Sequence, residues 1–176
     1  MYLMLPHKKF SRSGFTIVEL LIVIVVIAIL AAITIVAFNG IQQRARNSQI
    51  VQGVTMYEKA IRLYQAGTGT LPSVTGCLGA NYPSDQCWTG INGNRTVNAS
   101  LDTMLSAYIS TKPTLSTRQL QITAAPDYRL GATYNYVSQA DARIVYYLEG
   151  ASQRCINGVV GTTEMQGTQC VIQLGL

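Results

Sequence analysis

The sequence predicts an α+β chain: one long N-terminal helix, apolar at first and amphipathic later, packed on a small antiparallel β-sheet head with disulfides. Three observations point there. Leu20 to Phe38 are 19 residues without a charge. Ile50, Val54, Tyr57, Ile61 and Tyr64 then recur at steps of four and three, the spacing of one helix face. Beyond residue 130 the chain turns to aromatic and β-branched runs, and all four cysteines lie after the apolar stretch.

The apolar stretch comes first. At 1.5 Å per residue it spans about 28 Å, close to the thickness of a bilayer's hydrocarbon core. It accounts for much of the 48% hydrophobic content of a 176-residue chain that is only 12% charged. Lys8, Lys9 and Arg12 precede it, and basic flanks stay on the cytoplasmic side, which places the bulk of the chain outside. A cleavable secretory signal has a shorter apolar region of about 7 to 15 residues. A plain anchor explains length and orientation but leaves the carboxylate of Glu19 without a purpose, since an acid in an apolar run usually has a partner.

Gly14, Phe15, Thr16 and Glu19, behind a short basic leader and ahead of an aliphatic run, resemble the class III signal of type IV prepilins and pseudopilins. The resemblance is strong from residue 8 to about 46. It implies a lollipop-shaped type IV pilin-like fold divided into a leader at 1–14, a transmembrane or filament-core helix at 15–38, an amphipathic continuation at 39–66 and a β-rich head at 67–176. It also implies a prepilin peptidase that cuts between Gly14 and Phe15 and methylates the new amino terminus of Phe15. The further partners implied are other pilin subunits, an assembly platform in the membrane, and the membrane itself before assembly. Glu19 then gains a partner. The amine of Phe15 is cationic near neutral pH, and a carboxylate one turn away, on its own or a neighbouring chain, neutralises it in an apolar environment. A subunit packed out of register would leave both charges unpaired.

The helix is expected to continue past the apolar run to about Ala66, some 78 Å from Phe15. Arg44, Arg46, Glu58, Lys59 and Arg62 lie around its apolar stripe. No proline occurs between Pro6 and Pro72, although type IV pilins often have one in this helix. Thr34, Asn39, Gly40 and Gly53 are the weak points, and the Asn39-Gly40 pair is the expected place to unwind. "AGTG" at 66–69 stops the helix, with Gly67 as its C-cap. A head cut off near Asn47 is expected to fold without the transmembrane half.

In the head, "YNYV" at 134–137 and "RIVYYLEG" at 143–150 form a hairpin across "SQADA". "RCINGVVG" and "TQCVIQL" supply two further strands, giving a meander of about four antiparallel strands across the amphipathic helix. Residues 73–128 show little periodicity, apart from a short helix at 100–110. Cys77, Cys87, Cys155 and Cys170 are an even set in an exported domain, which indicates disulfides with three connectivities open. The local pairs are favoured, Cys77 with Cys87 and Cys155 with Cys170, the second closing a C-terminal loop like that of many pilins. Each contributes roughly 3 kcal/mol by loop closure.

Catalysis is not indicated. The only histidine, His7, lies in the leader, and neither a phosphate-binding loop nor a nucleophile with its base is present. No cofactor is called for. The cysteine spacings do not match a zinc site. A type II major pseudopilin would be expected to hold calcium in a C-terminal loop, but Asp141, Glu149 and Glu164 are dispersed. The formal charge of +5 falls to +2 without the three leader cations. That is little for binding nucleic acid, and Arg95, Arg118, Arg129, Arg143 and Arg154 are scattered along the chain. Tyrosines 128, 134, 136, 146 and 147 are read as strand and core residues before a binding surface. The reading is a structural pilin of a type IV pilus-like filament serving adhesion, motility or DNA uptake, located in the inner membrane and then on the cell surface. Its alternatives are a pseudopilin of a type II secretion or competence system and a DNA-binding minor pilin.

Overall fold

A computed structural model describes residues 14–90, 93–115, 118–124, 127–158 and 161–175. The chain divides into two units, one up to Gly40 and one from Ile41 onward. Helix α1 (Ile17–Thr68) begins in the first and continues in the second.

In the first unit α1 is apolar on every side, and its large apolar side chains are exposed among the described residues, from Ile17 at 85% to Val25 at 47%. The hydroxyl of Thr34 donates to the carbonyl of Leu30, so the polar group in the middle of the run is satisfied inside the helix. The chain stays helical through Asn39 and Gly40, and the division between the units falls directly after them. Helical geometry also persists past the expected stop. Gly67 lies within α1, and Gly69, with φ of +80°, terminates it by donating its N–H to the carbonyl of Gln65.

In the second unit the elements follow in order: β1 (Gly76–Leu78), β2 (Gln86–Thr89), β3 (Arg95–Thr96), α2 (Ala99–Leu105), β4 (Leu120–Gln121), β5 (Tyr128–Arg129), β6 (Ala132–Tyr136), β7 (Ala142–Glu149), β8 (Thr162–Thr163) and β9 (Gly167–Gln173). They make two antiparallel sheets. One has the order β1-β6-β7-β9-β8 and the other β3-β2-β5-β4. The expected hairpin is β6 and β7, with Ala132 opposite Tyr146 and Tyr136 opposite Ala142. The expected strand at "RCINGVVG" is absent among its described residues. The Gly158 N–H turns back to the carbonyl of Cys155, and Gly158 has a positive φ that a strand does not hold. Strand β8 takes its place as partner of β9, while Val159 and Val160 lie outside the described residues. The weakly periodic region 73–128 supplies β1 and most of the second sheet. Its short helix α2 is capped by Asn98, whose side chain accepts from the N–H groups of Ser100 and Leu101.

Packing explains the sequence of β7. Ile144, Tyr146 and Leu148 enter the core formed with Ile50, Val54, Tyr57 and Ile61 of α1. Val145 and Tyr147 point the other way, into a cluster with Leu120 and Ile122. A strand covered on both faces reads as a continuous apolar run, not as an alternation. Gly53 is a packing position, because a Cβ there would lie 2.0 Å from Cδ2 of Leu115, itself fully buried. Cys77–Cys87 joins β1 to β2, and so one sheet to the other, while Cys155–Cys170 ties the loop after β7 to β9.

The start of the second unit is held by polar contacts centred on Glu149. Asn47 accepts from the Glu149 N–H at 2.8 Å and donates to its carbonyl at 3.0 Å, behaving as a neighbouring strand would. Gln43 donates to the same carbonyl at 2.7 Å. The Glu149 carboxylate receives Arg46 at 2.7 Å and Arg118 at 2.9 Å. A head cut near Asn47 would therefore lose two of these contacts, and Ile41 is the better boundary.

Replacing Asn47 with Ala leaves the main chain of Glu149 short of partners, so we expect a loss of about 1–3 kcal/mol. Urea unfolding of the detergent-solubilised chain, followed by the fluorescence of Trp88, measures it. Alkaline pH gives a second test. Burial pushes the Tyr57 phenol up to about 12, against the opposing hydrogen bond from the Gly79 N–H, and burial likewise raises Tyr82 and Tyr134. Unfolded tyrosine titrates near 10, so the unfolded chain loses these protons first. The stability they contribute is complete below about pH 10 and declines as pH rises from there through about 12. Near-UV circular dichroism should show cooperative loss of tertiary structure in that window, and Tyr57→Phe should shift the midpoint upward.

Candidate processing and assembly site

The residues singled out at the amino terminus form a defined local structure. Gly14, Phe15 and Thr16 precede the helix, and Phe15 is 82% exposed. Thr16 is the N-cap of α1, since its carbonyl accepts the first helical bond from the Leu20 N–H. Its hydroxyl accepts from the Glu19 N–H at 3.2 Å. The Glu19 carboxylate reaches back, accepting from the Thr16 N–H at 2.8 Å and the Thr16 hydroxyl at 2.7 Å, both on Oε2. This is a capping box, in which Thr and Glu three residues apart satisfy each other's main-chain donors at a helix start. The spacing Thr-x-x-Glu is the sequence signal of this cap, and the charge of Glu19 overshadows it. The leader residues Lys8, Lys9 and Arg12 lie outside the described residues.

The site places an exposed, non-helical Gly14–Phe15 bond two residues ahead of a capped apolar helix. The helix that follows is long and apolar enough to cross a membrane. The family described as Prokaryotic N-terminal methylation motif matches at residues 9–35. Residues 9–35 thus carry an N-terminal methylation motif. The chain is also similar to the type II secretion system core protein G of Pectobacterium carotovorum subsp. carotovorum, with 26% identity over 91 residues. That match takes in 45% of this chain and 58% of the relative, so the chain spans little more than half the length of the relative it matches. No solved structure matches.

The other candidates are distributed through the head. The arginines weighed for nucleic acid are largely occupied. Arg118 pairs with Glu149, and Arg143 faces Asp141 at 3.6 Å. Arg129 is buried against Asp127 and lies 3.6 Å from the centre of the Trp88 ring, with Arg95 over the same ring at 5.7 Å. Of the five tyrosines, 134, 146 and 147 are buried and 128 and 136 half-buried. The acids weighed for calcium do not fit such a site. Glu149 is held by two arginines, Asp141 faces Arg143, and among the described residues no three His, Cys, Asp or Glu side chains gather.

The capping box separates two properties of Glu19 that the sequence left joined. Gln serves at this position of a capping box, so Glu19→Gln should keep the helix start while removing the charge. Glu19→Val removes both, and Thr16→Val removes the cap while keeping the charge. If charge governs assembly, Glu19→Gln and Glu19→Val should be equally deficient in filaments and Thr16→Val much less so. Counting filaments by electron microscopy, with immunoblots to equalise membrane levels, decides between charge and cap.

Proposed function

We propose that this chain is a structural subunit of a pilin-like filament, made as a membrane-anchored precursor and polymerised through its N-terminal helix. The observation that carries the reading is the methylation motif set on a helix that has no charge from Leu20 to Phe38 and whose large apolar side chains there, among the described residues, are exposed. A helix of that kind must lie among lipids or among other helices like it. The basic leader keeps its end in the cytoplasm and the head faces outward. A prepilin peptidase cuts after Gly14 and methylates Phe15. In the assembled filament the Phe15 amine of one chain meets the Glu19 carboxylate of another, and an incorrectly placed subunit leaves both unpaired. The role is structural and not catalytic.

A type IV pilus and a type II secretion pseudopilus both use such a subunit. The similarity to core protein G favours the pseudopilus. The dispersed acids, unsuited to calcium in the head, favour the pilus over a major pseudopilin. Long surface fibres composed mainly of this chain mark a pilus, and short assemblies confined to the cell envelope mark a secretion pseudopilus.

Processing tests the shared part of the reading. Intact-mass measurement of the protein from its native membrane should give a chain beginning at Phe15 and heavier by one methyl group. Gly14→Ala should still be cut, if more slowly, and bulkier residues at position 14 should block cleavage. A chain that keeps Met1, or one cut near Ala31 and Ala32, would overturn the prepilin reading.

A further inference from the structure

The second unit holds an open cleft of mixed polar and apolar lining that the filament reading does not use. It has a volume of about 420 Å³, and its lining includes Arg44, Ser48, Val51 and Gln52 of α1 together with Leu148 and Arg154. Its two arginines differ from most other cations of the head. Arg46 and Arg118 pair with Glu149, Arg62 with Glu58, Lys112 with Asp102, Arg129 with Asp127 and Arg143 with Asp141. Among the described residues, neither Arg44 nor Arg154 has a carboxylate within ion-pair distance. Arg154 reaches only the carbonyl of Gly158, at 3.5 Å. Two guanidinium forks without counter-charges, on one cleft, are suited to an anion with several oxygens. Asn47 and Gln153 also line the cleft, with Asn47 already bonded to the main chain of Glu149, and four further lining residues divide by chemistry. Ser48 and Gln52 are exposed hydrogen-bonding groups, while Val51 is half-buried and Leu148 buried. Such a cleft accepts a ligand that is charged at one end and apolar at the other.

Chain connectivity says where that ligand is to be found. Arg44 follows Phe38, the last residue of the apolar run, by six residues. Whatever path those residues take, they span at most about 20 Å. If the run lies in a bilayer, the cleft is within reach of the phosphate layer, which adds roughly 5–7 Å to each side of the hydrocarbon core. We infer that the Arg44–Arg154 cleft binds the phosphate of an anionic phospholipid headgroup, with its glycerol end against Val51 and Leu148. This rests on the membrane-anchored reading above. Basic groups beside a membrane span attract anionic lipids, and this cleft adds a defined seat.

The test uses the full chain extracted in a neutral detergent and titrated with phosphatidylglycerol, with native mass spectrometry counting retained lipids. Parallel arms use phosphatidylcholine and inorganic phosphate. The wild type should retain one phosphatidylglycerol with preference over phosphatidylcholine. The double variant Arg44→Gln/Arg154→Gln should need at least about ten times more lipid for the same occupancy, while the leader cations are common to both chains. Arg44→Lys/Arg154→Lys should fall between, having charge without the fork, and unchanged near-UV circular dichroism shows that the variants are folded. Equal retention by wild type and double variant would overturn the inference. So would binding of inorganic phosphate at the cleft without preference for the lipid. Chain-to-chain cross-links that depend on the two arginines, with lipid retention unaltered, would assign the cleft to a second copy instead. Release of the chain from membranes by alkaline carbonate would count separately, against the membrane-anchored reading.

Discussion

The second unit depends on one strand being covered on both faces. β7 sends Ile144, Tyr146 and Leu148 toward the apolar stripe of α1, and Val145 and Tyr147 toward Leu120 and Ile122. Each covering layer needs the strand, because neither a single helical stripe of about three turns nor a sheet of two- to four-residue strands buries enough apolar surface by itself. The ends of the arrangement are then fixed by polar chemistry. Asn47 and Gln43 close the main chain of Glu149, and Arg46 and Arg118 hold its carboxylate. The helix is thereby registered against the sheet at Glu149 as well as along its apolar seam. Cys77–Cys87 adds a covalent link where the two sheets meet.

What the sequence revealed followed from how strongly each segment states its period. The stripe from Ile50 to Tyr64 was legible because its steps are regular, and its first four members are buried. The β6–β7 hairpin was legible from two runs of strand formers and a polar turn between them. The second sheet was not, because β3, β4 and β5 are two residues each, too short to carry a period of two. "RCINGVVG" misled for a related reason. Its apolar content suggests a strand, but Asn157-Gly158 makes the chain turn and the cysteine holds that turn to β9. Gly53 looked like a flaw in the helix because sequence shows propensity and hides neighbours. Only the position of Leu115 reveals why the Cβ is missing there. At the amino terminus the order and charge of Gly14, Phe15 and Glu19 are legible in the sequence, whereas the hydrogen bonds of Thr16 appear only in the structure.

Those bonds change how the lone acid of the apolar run is understood. The first turn of any helix has main-chain N–H groups without helical partners, and an apolar environment offers no water to satisfy them. Thr16 and Glu19 satisfy each other's donors within the chain. The carboxylate therefore has a reason to be there before any second chain arrives. Both bonds to the Glu19 carboxylate fall on Oε2, and a carboxylate can accept on both oxygens. Capping the helix and meeting a cation are thus compatible uses of one side chain. A carboxylate already oriented by its cap loses less freedom when a cation approaches than one on a free rotamer. If subunits do pair Glu19 with a neighbour's amino terminus, Thr16 is the residue that holds the carboxylate ready. An acid set deeper in the run could not be prepared this way, because the main-chain donors there are already spent within the helix. Charge and cap together place the acid in the first turn, at the third helical position.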